Sequence, residues 1–197
     1  FSYGNDAVET VSYDPDGAKK LLEESGWTDT DGDGYVDKDG QKLSINWLTY
    51  PTRLEQPKLA EYAQATLKDI GIDVVVNNTS DHMTIAKSGD FDVYVSSTTT
   101  APTGDPEYFF TSTVTGSKNY GNYQNEEVTK LTDQLHQTFD KDERAKLAVE
   151  LQQDILDDDA FFFVSHLNMG IVTKSNVTGM AAHPCDYYEI TADLDVE

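Results

Sequence analysis

The stretch that decides the fold runs from Tyr13 to Leu43 and reads YDPDGAKKLLEESGWTDTDGDGYVDKDGQKL. Asp14 can cap a helix, and Pro15 suits the first turn because the N–H that proline lacks would have no intrahelical partner there. Gly26 is typical of the left-handed residue that ends a helix. The stretch therefore predicts a short capped helix, a glycine stop and an acid-glycine loop that leads into a strand.

Beyond this stretch, apolar residues alternate or recur at helical spacing. The first predicted elements are strand Leu43–Tyr50, helix Pro51–Ile70, strand Ile72–Val76, helix Asp81–Lys87 and strand Phe91–Ser97. This alternation predicts an α/β layer with parallel pairing.

The second half of the chain reads differently. The predicted elements are a helical turn at Pro106–Phe110, helices Asn125–Thr138 and Asp140–Leu156, a strand at Ala160–Val164 and an extended segment at Met169–Lys174. Asp140 and Glu143 have the spacing of a capping box. Ala160–Val164 is apolar throughout, which predicts a strand that is buried on both faces.

Composition excludes some classes of function. The 14 basic and 36 acidic residues give a net charge of -22, and such a surface repels the phosphates of nucleic acids. The single cysteine allows no internal disulfide, and no apolar run approaches the roughly 18 residues of a membrane span. Because the chain begins at Phe1, we interpret it as part of a longer protein, with any signal or lipid anchor outside it.

Several blocks resemble, in order, the extracellular solute-binding proteins of family 5, the receptors of peptide and nickel ABC importers. They include YDPDGAKKLLEESGW at 13–27, DTDGDG at 29–34, KSGDFDVYV at 87–95 and GDPEYFF at 104–110. The resemblance implies an α/β, periplasmic-binding-protein-like (type II) lobe with a mixed sheet flanked by helices. Residues 1–175 would form the second lobe of a two-lobe protein, and residues 176–197 a tail that returns towards the missing first lobe.

By the same resemblance, the two lobes close on nickel, a metal chelate or a small peptide and deliver it to ABC permease subunits. The protein is then expected at the extracellular face of the membrane, lipid-anchored, or in the periplasm. The chain alone is expected to bind ligand weakly, to require no cofactor and to have no nucleic-acid partner. It is predicted not to be an enzyme, because it has no HExxH, CxxC or phosphate-binding loop and its histidines are scattered.

The choice between the nickel-type and the peptide-binding branch of the family depends on one position. Aligned on Gly104-Asp105-Pro106, Pro102 stands where peptide-binding members place an aspartate for the peptide's ammonium group. The resemblance therefore favours the nickel-type branch, although Thr99 replaces a tryptophan common there. An oligopeptide or dipeptide receptor is the alternative. A calcium-stabilised extracellular structural module is an alternative from another class.

Candidate ligand-binding residues lie at strand ends, helix starts and polar loops, which the resemblance places at the cleft. They are His82, Met83, Thr98, Thr99, Thr100, Pro102, Thr103, Tyr120, Asn122, Tyr123, His166 and Asn168. Their hydroxyl, imidazole and aromatic groups suit a polar organic ligand or a chelate. Ordinary loop packing is the alternative interpretation for each.

The acid-glycine loop has the D-x-D-x-D-G spacing of calcium loops. The predicted ligands are Asp29, Asp31, Asp33, the carbonyl of Tyr35, and Asp37. The twelfth position is Gly40 instead of a bidentate glutamate, so we expect weak affinity. A structural calcium and an empty polar turn are both open.

Overall fold

The computed structural model describes residues 5–167, 170–182 and 190–196. The chain forms two compact units. We call Val11–Ser97 the sheet unit, and Phe1–Thr10 together with Thr98–Glu197 the helical unit. The division into residues 1–175 and a tail of 176–197 stays a prediction.

The sheet unit confirms the predicted alternation of strands and helices. Its elements are α1 (Pro15–Glu24), β1 (Asp37–Lys38), β2 (Gln41–Lys42), β3 (Ser44–Thr49), α2 (Glu55–Lys68), β4 (Asp73–Asn78), α3 (His82–Ser88) and β5 (Val93–Tyr94). β3 lies at the centre of a three-stranded sheet and pairs in parallel with β4 on one side and β5 on the other. β1 and β2 form a separate antiparallel pair.

Local chemistry explains the boundaries of α1. The carboxylate of Asp14 accepts a hydrogen bond of 2.9 Å from the Gly17 N–H, and Pro15 occupies the first turn, as predicted. Gly26 has φ +84°, a left-handed conformation that glycine adopts at low cost. The core under the sheet is apolar and joins strands to α2. Its buried members are Trp47, Ala60, Ile72, Val74 and Val95.

In its described residues, the helical unit contains short and long helices and a small antiparallel ladder. Its elements after residue 98 are α4 (Glu107–Phe109), a π-helical turn (Phe110–Val114), α5 (Glu126–Gln137), α6 (Lys141–Asp157), β6 (Val177–Thr178) and β7 (Asp195–Val196). Asn125 and Asp140 cap α5 and α6 through their side-chain oxygens, and the sequence predicted the Asp140 cap. The Glu143 carboxylate accepts a hydrogen bond from Lys146. Its side chain therefore does not supply the second bond of the predicted capping box, in which it would accept from the Asp140 N–H.

The core of the helical unit lies between α4, the π-helical turn, α5 and α6. Its buried side chains are Phe109, Phe110, Val114, Val128, Leu131, Leu135, Leu147, Ala148, Leu151 and Ile155. The apolar stripes of α5 and α6 predicted from the sequence face this core. Within the described residues, no helix is long and apolar enough to cross a membrane.

The predicted buried strand at Ala160–Val164 is wrong. In the described segment 160–167 the backbone has no strand partner, and the Phe162 side chain is 86% exposed. Phe161 does pack on the core. A strand forms only where a neighbouring strand takes its backbone hydrogen bonds, and the described residues supply none here. Residues 170–174 form no strand either, and Met169 lies outside the described residues.

Candidate functional site

The carboxyl edge of the parallel sheet is the first candidate site. The chain passes from β3 to β4 on one side and then crosses to β5 on the other, so the connections change direction between β3 and β5. Ligands of open α/β sheets bind in the crevice that such a switch point leaves outside the carboxyl ends of the strands. Tyr50 follows β3 and Tyr94 ends β5, so two tyrosines flank this point.

An aromatic cluster occupies this edge. The His82 ring stacks on the buried Tyr50 ring, with 4.0 Å between centroids and 18° between planes. His82 Nδ1 lies 2.8 Å from the Tyr94 hydroxyl, which also lies 3.9 Å from the Met83 sulfur. The Tyr50 hydroxyl accepts a bond of 3.3 Å from the Ser97 N–H. We call Tyr50, His82, Met83 and Tyr94 the edge cluster.

The edge cluster fixes the orientation of the imidazole. The Tyr50 ring packs on one face of the His82 ring, and the Tyr94 hydroxyl hydrogen-bonds its Nδ1. Nε2 is then the ring nitrogen of His82 that remains for a ligand. The sequence predicted His82 and Met83 but missed Tyr50 and Tyr94. Tyr50 ends the predicted strand Leu43–Tyr50, and this position was a signal that could have identified it. Tyr94 lies inside the predicted strand Phe91–Ser97, so it carried no such signal.

The loop of residues 98–104 carries the predicted hydroxyl groups. Thr98, Thr99, Thr100 and Thr103 are exposed, and Pro102 is half-buried. The structure thus brings these residues onto one accessible loop of the helical unit. Whether they contact a ligand stays a prediction.

Carboxylates that follow this loop are held by Arg144 of α6. Its Nη2 lies 2.6 Å from Asp105 Oδ1 and 2.8 Å from Glu107 Oε2, and its Nε donates to Asp105 Oδ2 at 3.0 Å. Partial burial opposes ionisation of both carboxyls, but the Arg144 bonds and charge outweigh it and lower the pKa of Asp105 and of Glu107. His136 also bonds Glu107 and adds to the lowering. The sequence alone does not identify Arg144 as their partner.

The loop of Tyr120–Tyr123 is ordered by its own side chains. Asn119 bonds both the N–H and the carbonyl of Tyr123, at 2.9 and 2.8 Å. The Tyr123 hydroxyl donates to Asp158 at 2.6 Å, and its ring meets Phe161 edge-on. Burial, followed by this bond, raises the pKa of Tyr123 to about 12. Tyr123 thus packs through both its hydroxyl and its ring, and its contact with a ligand stays a prediction.

Other predicted ligand residues are less constrained. Asn122 is exposed with φ +51°, a conformation that asparagine tolerates better than most residues, and Tyr120 is half-buried. His166 is exposed on segment 160–167, although the buried strand that was predicted to present it is not formed. Asn168 lies outside the described residues.

The acid-glycine loop brings three of its carboxylates together. Oxygen atoms of Asp29, Asp31 and Asp37 lie within 4.8 Å of one another. The same groups hold the loop through backbone bonds, since Asp29 accepts from the Gly32 and Gly34 N–H groups at 2.7 and 3.0 Å.

The remaining predicted ligands fit calcium less well. Asp33, the third carboxylate of the motif, accepts from the Tyr35 N–H at 2.9 Å and is not among the carboxylates that converge in the described part of the chain. The Tyr35 ring lies 4.4 Å from the Lys42 ammonium group, a cation beside the loop. Calcium binding through Asp29, Asp31 and Asp37 stays a prediction.

The parallel sheet with helical crossovers makes the sheet unit α/β, and the solved relatives assign the chain to the periplasmic-binding-protein-like fold of type II. The solved structure of the oligopeptide-binding protein AppA from Bacillus subtilis, in complex with a nonapeptide, superposes with a TM-score of 0.80. It is 28% identical over 95% of this chain and 39% of that one. The predicted fold class is confirmed.

The chain belongs to the bacterial extracellular solute-binding proteins of family 5, because the model described as "family 5 Middle" matches residues 1–121. AppA of Bacillus subtilis (strain 168) is 30% identical over 93% of this chain. The nickel-binding periplasmic protein of Escherichia coli (strain K12) is 27% identical over 92% of it. The chain spans 35% and 36% of these two relatives. The family is one of binding proteins, in agreement with the prediction that the chain is not an enzyme.

Proposed function

We propose that this chain forms part of the substrate-binding component of an ABC importer that works at the extracellular face of the membrane or in the periplasm. The match over residues 1–121 and the names of the two relatives support this proposal. In it, a first lobe outside this chain completes the ligand cleft, residues 176–197 return towards that lobe, and permease subunits receive the solute.

The observation that carries the proposal is the edge cluster. His82 is held between a buried ring and a tyrosine hydroxyl at the switch point of the sheet, where ligands of such sheets bind. Holding an imidazole in one orientation before the ligand arrives lowers the entropy that binding costs. His82, Met83 and Tyr94 form the recognition surface of the sheet unit, and Tyr50 supports it.

Nickel or a metal chelate is the favoured ligand. Pro102 has no carboxylate for a peptide ammonium group, and an imidazole suits nickel or a chelated metal. A peptide is the second candidate, because AppA, the relative at 30% identity, is an oligopeptide-binding protein. The two ligand classes make different demands on the edge cluster, so they can be separated by experiment.

A titration of the 197-residue chain followed by ¹⁵N NMR tests the proposal, because it detects the weak binding expected of half a cleft. The two probes are a nickel–histidine chelate and a nonapeptide. We expect one probe at millimolar concentration to shift the amide signals of Tyr50, His82 and Tyr94. The Tyr94→Phe variant is expected to weaken binding about fivefold, since it removes the hydroxyl bond to His82.

Tyr108→Phe is the matched control, because Tyr108 is an exposed tyrosine whose hydroxyl bonds Lys118 in the helical unit. It is expected to leave binding unchanged. The proposal fails if neither probe shifts the edge cluster, or if the shifts are confined to the acid-glycine loop. A response to the peptide alone would support importer function and replace the chelate by a peptide.

A further inference from the structure

The loop of residues 98–104 leads directly into a cluster of charged side chains. Gly104 has φ +79°, and its N–H donates to the Ala101 carbonyl at 3.0 Å, which closes a turn at the end of the loop. Asp105 follows at once, and its carboxylate accepts from the Glu107 N–H at 2.9 Å. The conformation of the loop end therefore depends on where Asp105 and Glu107 are held.

The Arg144 guanidinium holds Asp105 and Glu107, and all of its N–H donors are used. Three N–H groups of its guanidinium bond Asp105 and Glu107. The other two belong to Nη1, which donates to the Leu135 and Thr138 carbonyls at 2.7 and 2.6 Å. A guanidinium has five N–H donors in a rigid plane, so all five are used.

The Leu135 and Thr138 carbonyls belong to the end of α5. One side chain of α6 thus ties the end of α5 to the residues that follow the loop. Its own position is restricted, because the Arg144 side chain is 14% exposed. A flexible ammonium group could replace the charge but not the planar set of bonds.

Adhesion between the helices does not require this arrangement. Phe109 and Phe110 already pack with Leu131 and Leu151 in the core. Three of the five Arg144 bonds go to Asp105 and Glu107, where the loop joins α4, so their specific effect is on the end of the loop. A positioning role explains the use of five bonds better than a general stabilising role.

We infer that Arg144 is a positioning residue for the loop of residues 98–104. It holds the turn of residues 101–104, which contains Pro102, in the conformation that contacts the solute. The inference rests on the proposed function, since it takes this loop as part of the ligand surface. The positioning itself is measurable without a ligand.

Backbone ¹⁵N order parameters of the 197-residue chain test the positioning. We expect values near about 0.85 for the amides of residues 101–104, falling below about 0.6 in Arg144→Lys, which keeps the charge and loses the fork. Asp105→Asn is a milder second variant and is expected to move the same amides in the same direction. Lys146→Met, on the same helix, removes an exposed ion pair with Glu143 and is expected to change nothing in the loop.

Two arms separate the possible failures. If the loop amides keep their order in Arg144→Lys, or if the amides of α5 lose order equally, Arg144 is not a positioning residue and the inference is overturned. If the loop becomes mobile while the affinity for the nickel–histidine probe is unchanged, positioning does not serve ligand capture, which also overturns it. A tenfold loss of probe affinity with a mobile loop supports it. Absence of probe binding to the unaltered chain counts instead against the proposed function.

Discussion

Replacing Arg144 by methionine is expected to lower the free energy of unfolding of the helical unit by about 2–3 kcal/mol at neutral pH. The Asp105 side chain is 37% exposed, so its ion pair contributes at most about 1 kcal/mol. Glu107 is 23% exposed and loses a better shielded bond, worth about 1 kcal/mol. The Leu135 and Thr138 carbonyls lose a charged donor, which adds about 1 kcal/mol or less.

The loss of unfolding free energy in Arg144→Met is expected to depend on pH. The pKa values of Asp105 and Glu107 are lowered from ordinary values of 3.8 and 4.5. A carboxyl whose pKa is lower in the folded state stabilises the fold above its unfolded pKa, and this contribution disappears as pH falls through the folded pKa. The stabilities of the unaltered chain and of Arg144→Met should therefore differ fully above about pH 5 and converge below about pH 3.8.

Urea unfolding with two probes measures this. Both tryptophans, Trp27 and Trp47, lie in the sheet unit, whereas far-ultraviolet circular dichroism also reports α5 and α6. Arg144→Met is expected to shift the dichroism transition more than the tryptophan fluorescence transition. Lys146→Met is the matched control, because it replaces another cationic side chain of the same helix by methionine, and it should cost less than about 0.5 kcal/mol. Equal losses in the two variants, or a difference that persists unchanged in acid, would refute the reasoning.

Three further outcomes are expected. Leu151→Ala, at a core position with no exposed surface, should cost about 2–5 kcal/mol in urea unfolding, and a loss under 1 kcal/mol would contradict the assigned core. Burial and Asp158 raise the pKa of Tyr123 to about 12 from an ordinary 10.0. The contribution of the Tyr123 hydroxyl to stability should therefore be complete below pH 10.0 and lost towards pH 12. Tyr123→Phe should abolish this alkaline decline in the free energy of unfolding, measured at each pH. Millimolar Ca²⁺ should raise the melting temperature, and Asp29→Asn should cancel the rise; no rise in the unaltered chain would identify a polar turn.

Much of the fold could be predicted because the signals are local. Asp14 and Asp140 cap the helices that their spacing predicts, and each needs only a backbone N–H two or three residues away. Segment 160–164 could not be predicted in the same way. Its apolar residues favour a buried strand, but burial of both faces and pairing of the backbone depend on segments that the local sequence does not identify.

The candidate site residues also divide into those with a local sequence signal and those placed by long-range contacts. His82 and Met83 were predicted from a helix start, but Tyr94 acquires its role from the register that pairs it with Leu48 of the central strand. Arg144 lies 39 residues from Asp105 and looks like any cation on an amphipathic helix. Non-local register and long-range ion pairs leave no periodic trace in the sequence, so they were missed.

The bonds of Arg144 also restrict what the 98–104 loop offers to a solute. Residues 98–104 include no charged side chain, and the carboxylates that follow, Asp105 and Glu107, already bond a guanidinium. A ligand ammonium group would have to displace Arg144 to reach them and would leave its charge half-buried and unpaired, which is costly. Under the proposed function, this loop therefore offers a solute hydroxyl groups and the Pro102 ring, without an ion pair. If the solute is a peptide, the anion that binds its ammonium group must come from outside this loop, and neutralising Asp105 should leave peptide charge selectivity unchanged.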